Sequence, residues 1–134
     1  MKQGIQSEIK HKMINKYGCY FLRLVELGGR LSGANCESGM EEMYSKHTQN
    51  GAMKKDCSIL YPAFILGDLT GKRYYFPRPK EKPDCPYYII ENVKPGHTHF
   101  TLFYEGGIWD PLPPERPAAR RYKPNSYRFF EEMR

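Results

Sequence analysis

Two stretches of the chain carry the residue types needed for nucleophilic chemistry. The first is Tyr17-Gly18-Cys19-Tyr20-Phe21-Leu22; the second is His97-Thr98-His99-Phe100-Thr101-Leu102-Phe103-Tyr104, which continues through Glu105-Gly106-Gly107 into Ile108-Trp109-Asp110-Pro111. A thiol, an imidazole and a carboxylate in that order are a nucleophile, its base and the group that orients the base. Cys19 falls where an amphipathic helix should begin. Unpaired amides and the helix dipole at such a start lower a cysteine's pKa and raise its thiolate fraction. Gly18 would let a substrate carbonyl approach the backbone, so it belongs to the candidate cleft, and the Cys19 N–H is a candidate oxyanion donor. The competing reading makes Cys19 a small buried residue under an aromatic helix.

The histidine stretch has the texture of a strand. His97 and His99 share parity with Thr101 and Phe103, while Phe100, Leu102 and Tyr104 point the other way. His99 lies inside the strand and is the better-held base. His97 adjoins the loop after Pro95-Gly96 and is placed with the cleft. Register supplies a sharper expectation. A two-residue turn at Glu105-Gly106 sets Asp110 opposite Thr101, diagonal to His99 at roughly 7–8 Å along the backbone and within reach of an Asp–His hydrogen bond. A turn at Gly106-Gly107 sets Asp110 opposite Phe103, too far away. The alternative is that Asp110-Pro111 simply ends the strand. Trp109 either covers the triad or lines the cleft, and core packing is equally compatible.

These groups need elements to hold them. Tyr17, Phe21, Leu24 and Gly28 follow helical spacing, and Gly28-Gly29 is the expected stop. Ser38-Gly39-Met40-Glu41 reads as a capping box. The helix it opens buries Met40, Met43, Tyr44 and His47 and ends near Asn50-Gly51. A short third helix takes Pro62 in its first turn and runs through Phe64, Ile65 and Leu69. Beyond Gly71 come a short strand at Tyr74-Tyr75-Phe76, a proline-studded loop over 77–86, a strand at 87–90 and a hairpin of 99–104 with 108–110. Residues 126–130 make one more strand or a short helix. Helices first and an antiparallel sheet second is an α+β arrangement.

The Gly-Cys helix, the later histidine on an aromatic strand, the glycine hairpin and Trp109-Asp110-Pro111 together resemble the papain-like cysteine peptidase superfamily. The nearest flavours are the double-glycine bacteriocin-processing peptidases and the NlpC-type cell-wall peptidases. More narrowly, Tyr17-Gly18-Cys19-Tyr20-Phe21, Asp56-Cys57 and the Trp-Asp-Pro hairpin resemble a small family of bacteriophages and spirochaete plasmids that has no established activity to lend. The broad resemblance implies N-terminal helices packed on a C-terminal antiparallel sheet, with a thiolate–imidazolium pair attacking an amide. Those peptidases commonly take a second oxyanion donor from a polar side chain shortly before the cysteine. Asn15 is the candidate here, with His11 and the more distant Gln6 behind it.

Length and composition bound the rest. A chain of 134 residues fits one domain, 1–134, with a single core. The net charge of +6 permits an acidic partner, but the basic residues are scattered and the tightest cluster is Arg116, Arg120, Arg121 and Lys123. No nucleic-acid motif accompanies them, so nucleic acid is disfavoured as a partner. No run approaches the ~18 apolar residues of a membrane span. The N-terminus lacks an apolar leader core, so the irregularly spaced Cys19, Cys36, Cys57 and Cys85 are expected as free thiols in a reducing cytoplasm. Zinc at Cys36, Cys57 and Cys85 with His47 or His97 lacks paired spacing, and no metal or cofactor is expected. Cys57 is expected in the core or behind the site, and His47 as a satisfied core histidine. The functional expectation is a cysteine hydrolase acting on a peptide or isopeptide bond of a peptide or protein substrate. The alternative is a catalytically silent papain-like module that binds a protein or nucleic-acid partner.

Overall fold

Apolar residues crowd the segment after Gly18, and there the chain forms its longest helix, α2 (Cys19–Ser32). The computed structural model describes residues 1, 5–34, 37–77, 79–94, 97–110 and 123–133. Phe21, Leu22, Leu24, Val25 and Leu27 of α2 are all fully buried. The helix runs through Gly28-Gly29 and ends only at Gly33, which adopts a left-handed φ of 73°. The expected stop at Gly28-Gly29 is therefore wrong, for a packing reason. Helix α4 (Pro62–Thr70) crosses α2 there, and a Cβ on Gly28 would lie 2.7 Å from Leu69 Cβ. Glycine at this position serves close helix–helix approach rather than termination.

A 3-10 turn (Ile5–Glu8) and a short helix α1 (Lys12–Tyr17) precede α2. Helix α3 (Met40–Gln49) starts from Gly39 and has no side-chain cap bond. The Ser38–Glu41 capping box is not realised: with Gly39 as cap, Glu41 sits one position too early in the helix to close it. Met40 and His47 of α3 are buried. Pro62 opens α4 as expected, its fixed φ suiting a first turn.

The sheet follows the helices. Strands β2 (Tyr87–Lys94), β3 (His97–Tyr104), β4 (Gly107–Trp109) and β5 (Lys123–Arg128) form an antiparallel sheet in the order β4-β3-β2-β5. The C-terminal segment is thus a strand, paired with β2 through a register shift at Glu91/Asn92. Strands β1 (Tyr74–Tyr75) and β6 (Glu131–Glu132) form a second, two-stranded antiparallel sheet. Among the described residues the architecture is α+β, four α-helices with two antiparallel sheets. Helix α2 packs on both α4 and β3, and Ile89 and Leu102 project from the sheet into the shared core.

One turn decides the site. Tyr104 pairs with Gly107, so the β3–β4 hairpin closes on Glu105-Gly106. Both turn residues have positive φ, 47° and 84°, the combination whose twist matches the flanking strands.

Candidate active site

Cys19 is the first residue of α2. The Leu22 amide bonds the Gly18 carbonyl at 2.7 Å, so the Cys19 amide lies ahead of the helical ladder, at the positive end of the dipole. The residue is partly exposed and lines a cavity of about 640 Å³. Tyr20 and Phe100, whose ring centroids are 4.4 Å apart, stand beside it, with Tyr17, Cys57 and Arg128 completing much of the wall.

His99 is buried on β3. The hairpin register that pairs Leu102 with Trp109 carries Asp110 towards Thr101, the arrangement the Glu105-Gly106 turn requires. His99 Nε2 lies 2.9 Å from Asp110 Oδ2. The Cys19 thiol faces the same ring, and hydrogen bonding with His99 leads the effects that lower the thiol. Thiol, imidazole and carboxylate thus meet in one place, from the start of a helix, the middle of a strand and the end of a hairpin.

The electrostatics favour the ionised pair. Burial pushes the Cys19 thiol up, but the His99 hydrogen bond, Arg23, the His99 charge and the Phe100 backbone outweigh it and hold the thiol below its usual range. Burial pushes His99 down, yet its hydrogen bonds to Asp110 and Cys19 lift it above the ordinary imidazole value. Both shifts stabilise a thiolate facing an imidazolium.

Arg23 is the residue the sequence reading missed. It is fully buried, with Nη1 donating to the Cys19 carbonyl at 2.6 Å and Nη2 donating to Asp110 Oδ1 at 3.0 Å. Nη2 also lies 3.4 Å from His99 Nε2, and the guanidinium sits 5.6 Å from the Trp109 ring centroid. The available signal was spacing: Arg23 is four residues after Cys19, hence on the same helix face.

Other expected positions fall elsewhere. Asn15 donates through Nδ2 to the carbonyls of Gln6 and Ile9, both at 3.0 Å, while Gln6 Nε2 donates to the Asn15 carbonyl at 3.0 Å. Its amide ties the 3-10 turn to α1 and is not an oxyanion donor. His11 caps α1, accepting the Ile14 amide at Nδ1. Gly18 is buried at the α1–α2 junction, where any Cβ would collide with the Ile14 carbonyl oxygen. Its role is backbone packing rather than a cleft wall. Trp109 is buried too, donating through Nε1 to the Met1 carbonyl at 3.0 Å, and it covers Arg23 instead of lining the cleft. His97 starts β3 opposite Lys94, and its side chain lies outside the described residues. Thr98 and Phe100 present β3 to the cavity instead.

Cys57 is buried and bonds the Met13 carbonyl through Sγ at 3.6 Å; burial pushes its thiol up to about 12. Burial also raises the Cys85 thiol. His47 is a core histidine, with Nδ1 3.2 Å from Asn50 Nδ2 and Nε2 3.4 Å from Asp68 Oδ2. Cys36 and the basic cluster at Arg116, Arg120 and Arg121 lie outside the described residues. Among the described residues no three His, Cys, Asp or Glu side chains are gathered to hold a metal ion, and no helix is long and apolar enough to cross a membrane. No family model matches the chain, and neither a curated protein nor a solved structure does.

Proposed function

We propose that the chain is a papain-like cysteine hydrolase that cleaves a peptide or isopeptide bond. One observation carries this reading: His99 bonds Asp110 at 2.9 Å and, with Arg23, lowers the neighbouring Cys19 thiol, which itself lines a cavity. The papain-like assignment draws support from the layout, a thiol at the start of a helix packed on an antiparallel sheet whose strand bears the imidazole. In the reaction the Cys19 thiolate attacks the carbonyl carbon, and its own N–H steadies the oxyanion. His99, as imidazolium, gives its proton to the leaving amine, which departs and leaves a thioester on Cys19. Water then attacks the thioester with His99 taking its proton, the C–S bond breaks, and the carboxylic acid leaves with the thiolate–imidazolium pair restored. Asp110 holds the His99 ring and tautomer throughout.

A second reading, a catalytically silent module that binds a partner, is favoured by the engagement of Asn15, Gln6 and His11. Each of these expected donors is spent on local structure. Iodoacetamide separates the readings. Under the hydrolase reading Cys19 is carboxamidomethylated well before Cys57 and Cys85, as peptide mass spectrometry of timed samples reads directly. Labelling of Cys19 no faster than of those two thiols contradicts it and favours the binding module.

A further inference from the structure

Arg23 occupies a position where its neighbours on α2 are Leu22 and Leu24, both fully buried like Arg23 itself. An apolar side chain would fit such a setting, and a buried guanidinium loses hydration that only close partners return. The partners here belong to the candidate triad. Through Nη1 the guanidinium grips the Cys19 carbonyl at 2.6 Å, and through Nη2 it grips Asp110 Oδ1 at 3.0 Å. The other Asp110 oxygen accepts from His99 at 2.9 Å. One planar fork therefore ties the first turn of the thiol helix to the carboxylate that orients the imidazole, with Trp109 behind it.

Resting on the hydrolase reading above, we infer that Arg23 is the positioning residue of this site. By clamping the start of α2 to Asp110 and supplying the buried positive charge, it holds the thiol–imidazole pair aligned and the sulfur ionised, while its charge opposes protonation of His99. Charge counting gives the reason. A thiolate, an imidazolium, a carboxylate and a guanidinium sum to zero; removing the guanidinium leaves one net negative charge in apolar surroundings, and a proton returns to the sulfur. Other charged or titratable groups face Cys19 less directly. Cys57 is held protonated, Asp56 stands exposed at the cavity rim, and Arg128 is already paired with Glu91 at 2.7 Å.

The test is the pH profile of Cys19 alkylation by iodoacetamide in the full chain, read by mass spectrometry for the wild type, Arg23→Met and Arg23→Lys. Arg23→Met keeps the bulk and removes the charge. Its inflection should move up by about one pH unit or more, a roughly tenfold slower reaction on the acid side. Arg23→Lys keeps the charge and loses the fork, so its inflection should return towards the wild-type position. An unchanged profile in Arg23→Met, or no recovery in Arg23→Lys, overturns the assignment. A wild-type Cys19 with the profile of an ordinary thiol overturns the hydrolase reading itself, so the two failures are distinguishable. Should Arg23→Met fail to fold, the native protein still decides. The Arg23 guanidinium ¹⁵N resonances should titrate with the Cys19 midpoint and lose that titration once Cys19 is alkylated; resonances indifferent to Cys19 overturn the inference.

Discussion

Cys19, His99 and Asp110 were legible because each sits in a local pattern with few solutions. A glycine-led helix start, strand parity and a two-residue positive-φ turn leave little freedom in where these side chains go. Arg23 was not legible. A charged residue on an amphipathic helix ordinarily reads as part of the wet face, and only the packed fold reveals it as buried. Asn15 was misread because proximity to a cysteine in sequence does not say where an amide points, and here it points at the 3-10 turn. Asp110 yields a prediction at this scale. Burial lowers the His99 pKa, and the Asp110 hydrogen bond leads the effects that raise it to a net upward shift. Under the proposed hydrolase function, Asp110→Asn should therefore move the alkaline limb of activity to lower pH, since that limb is lost as His99 gives up its proton. The rate should also fall about 10²-fold. Release of nitrophenol from p-nitrophenyl acetate across the pH range, by wild type and variant, reads both effects.

Helices α2, α3 and α4 announced themselves through apolar spacing and α1 did not, while the end of α2 was misread because glycine has two uses that look alike in sequence. Gly33 terminates α2 by adopting a left-handed conformation, whereas Gly28 lets α4 approach. Gly28→Ala should consequently cost about 1–3 kcal/mol, since its methyl meets Leu69 Cβ and Cδ1 rather than open space. Gly33→Ala, with nothing near the added Cβ, should cost only its conformational strain, about 1 kcal/mol. Thermal unfolding of the two variants ranks them, and equal losses would contradict the packing role of Gly28. Strand β1 was read from Tyr74-Tyr75-Phe76, but its partner β6 was not, because an isolated two-residue strand leaves no periodicity to read.

For the whole molecule, the α+β layout was legible from the change of texture after Gly71, where helical stripes give way to β-branched and aromatic runs separated by prolines. A buried histidine also gives the molecule a pH dependence. Burial pushes His47 below the ordinary imidazole value, against the opposing pull of Asp68. The folded state thus keeps the ring neutral while the unfolded chain takes up a proton near 6.5, about the free value. This contribution to stability is present above that pH and is lost as pH falls towards the depressed folded value. Urea unfolding at descending pH should show the loss, and His47→Gln should flatten that part of the curve; a variant with the wild-type slope would place the loss elsewhere.

The proposed chemistry depends first on activation of the Cys19 sulfur by the His99 imidazole. Its most direct measurement is the pH dependence of Cys19 alkylation in wild type and His99→Ala. The wild-type inflection should lie well below that of an ordinary thiol and rise towards the ordinary range when the imidazole is removed. Coincident profiles for the two proteins would contradict it.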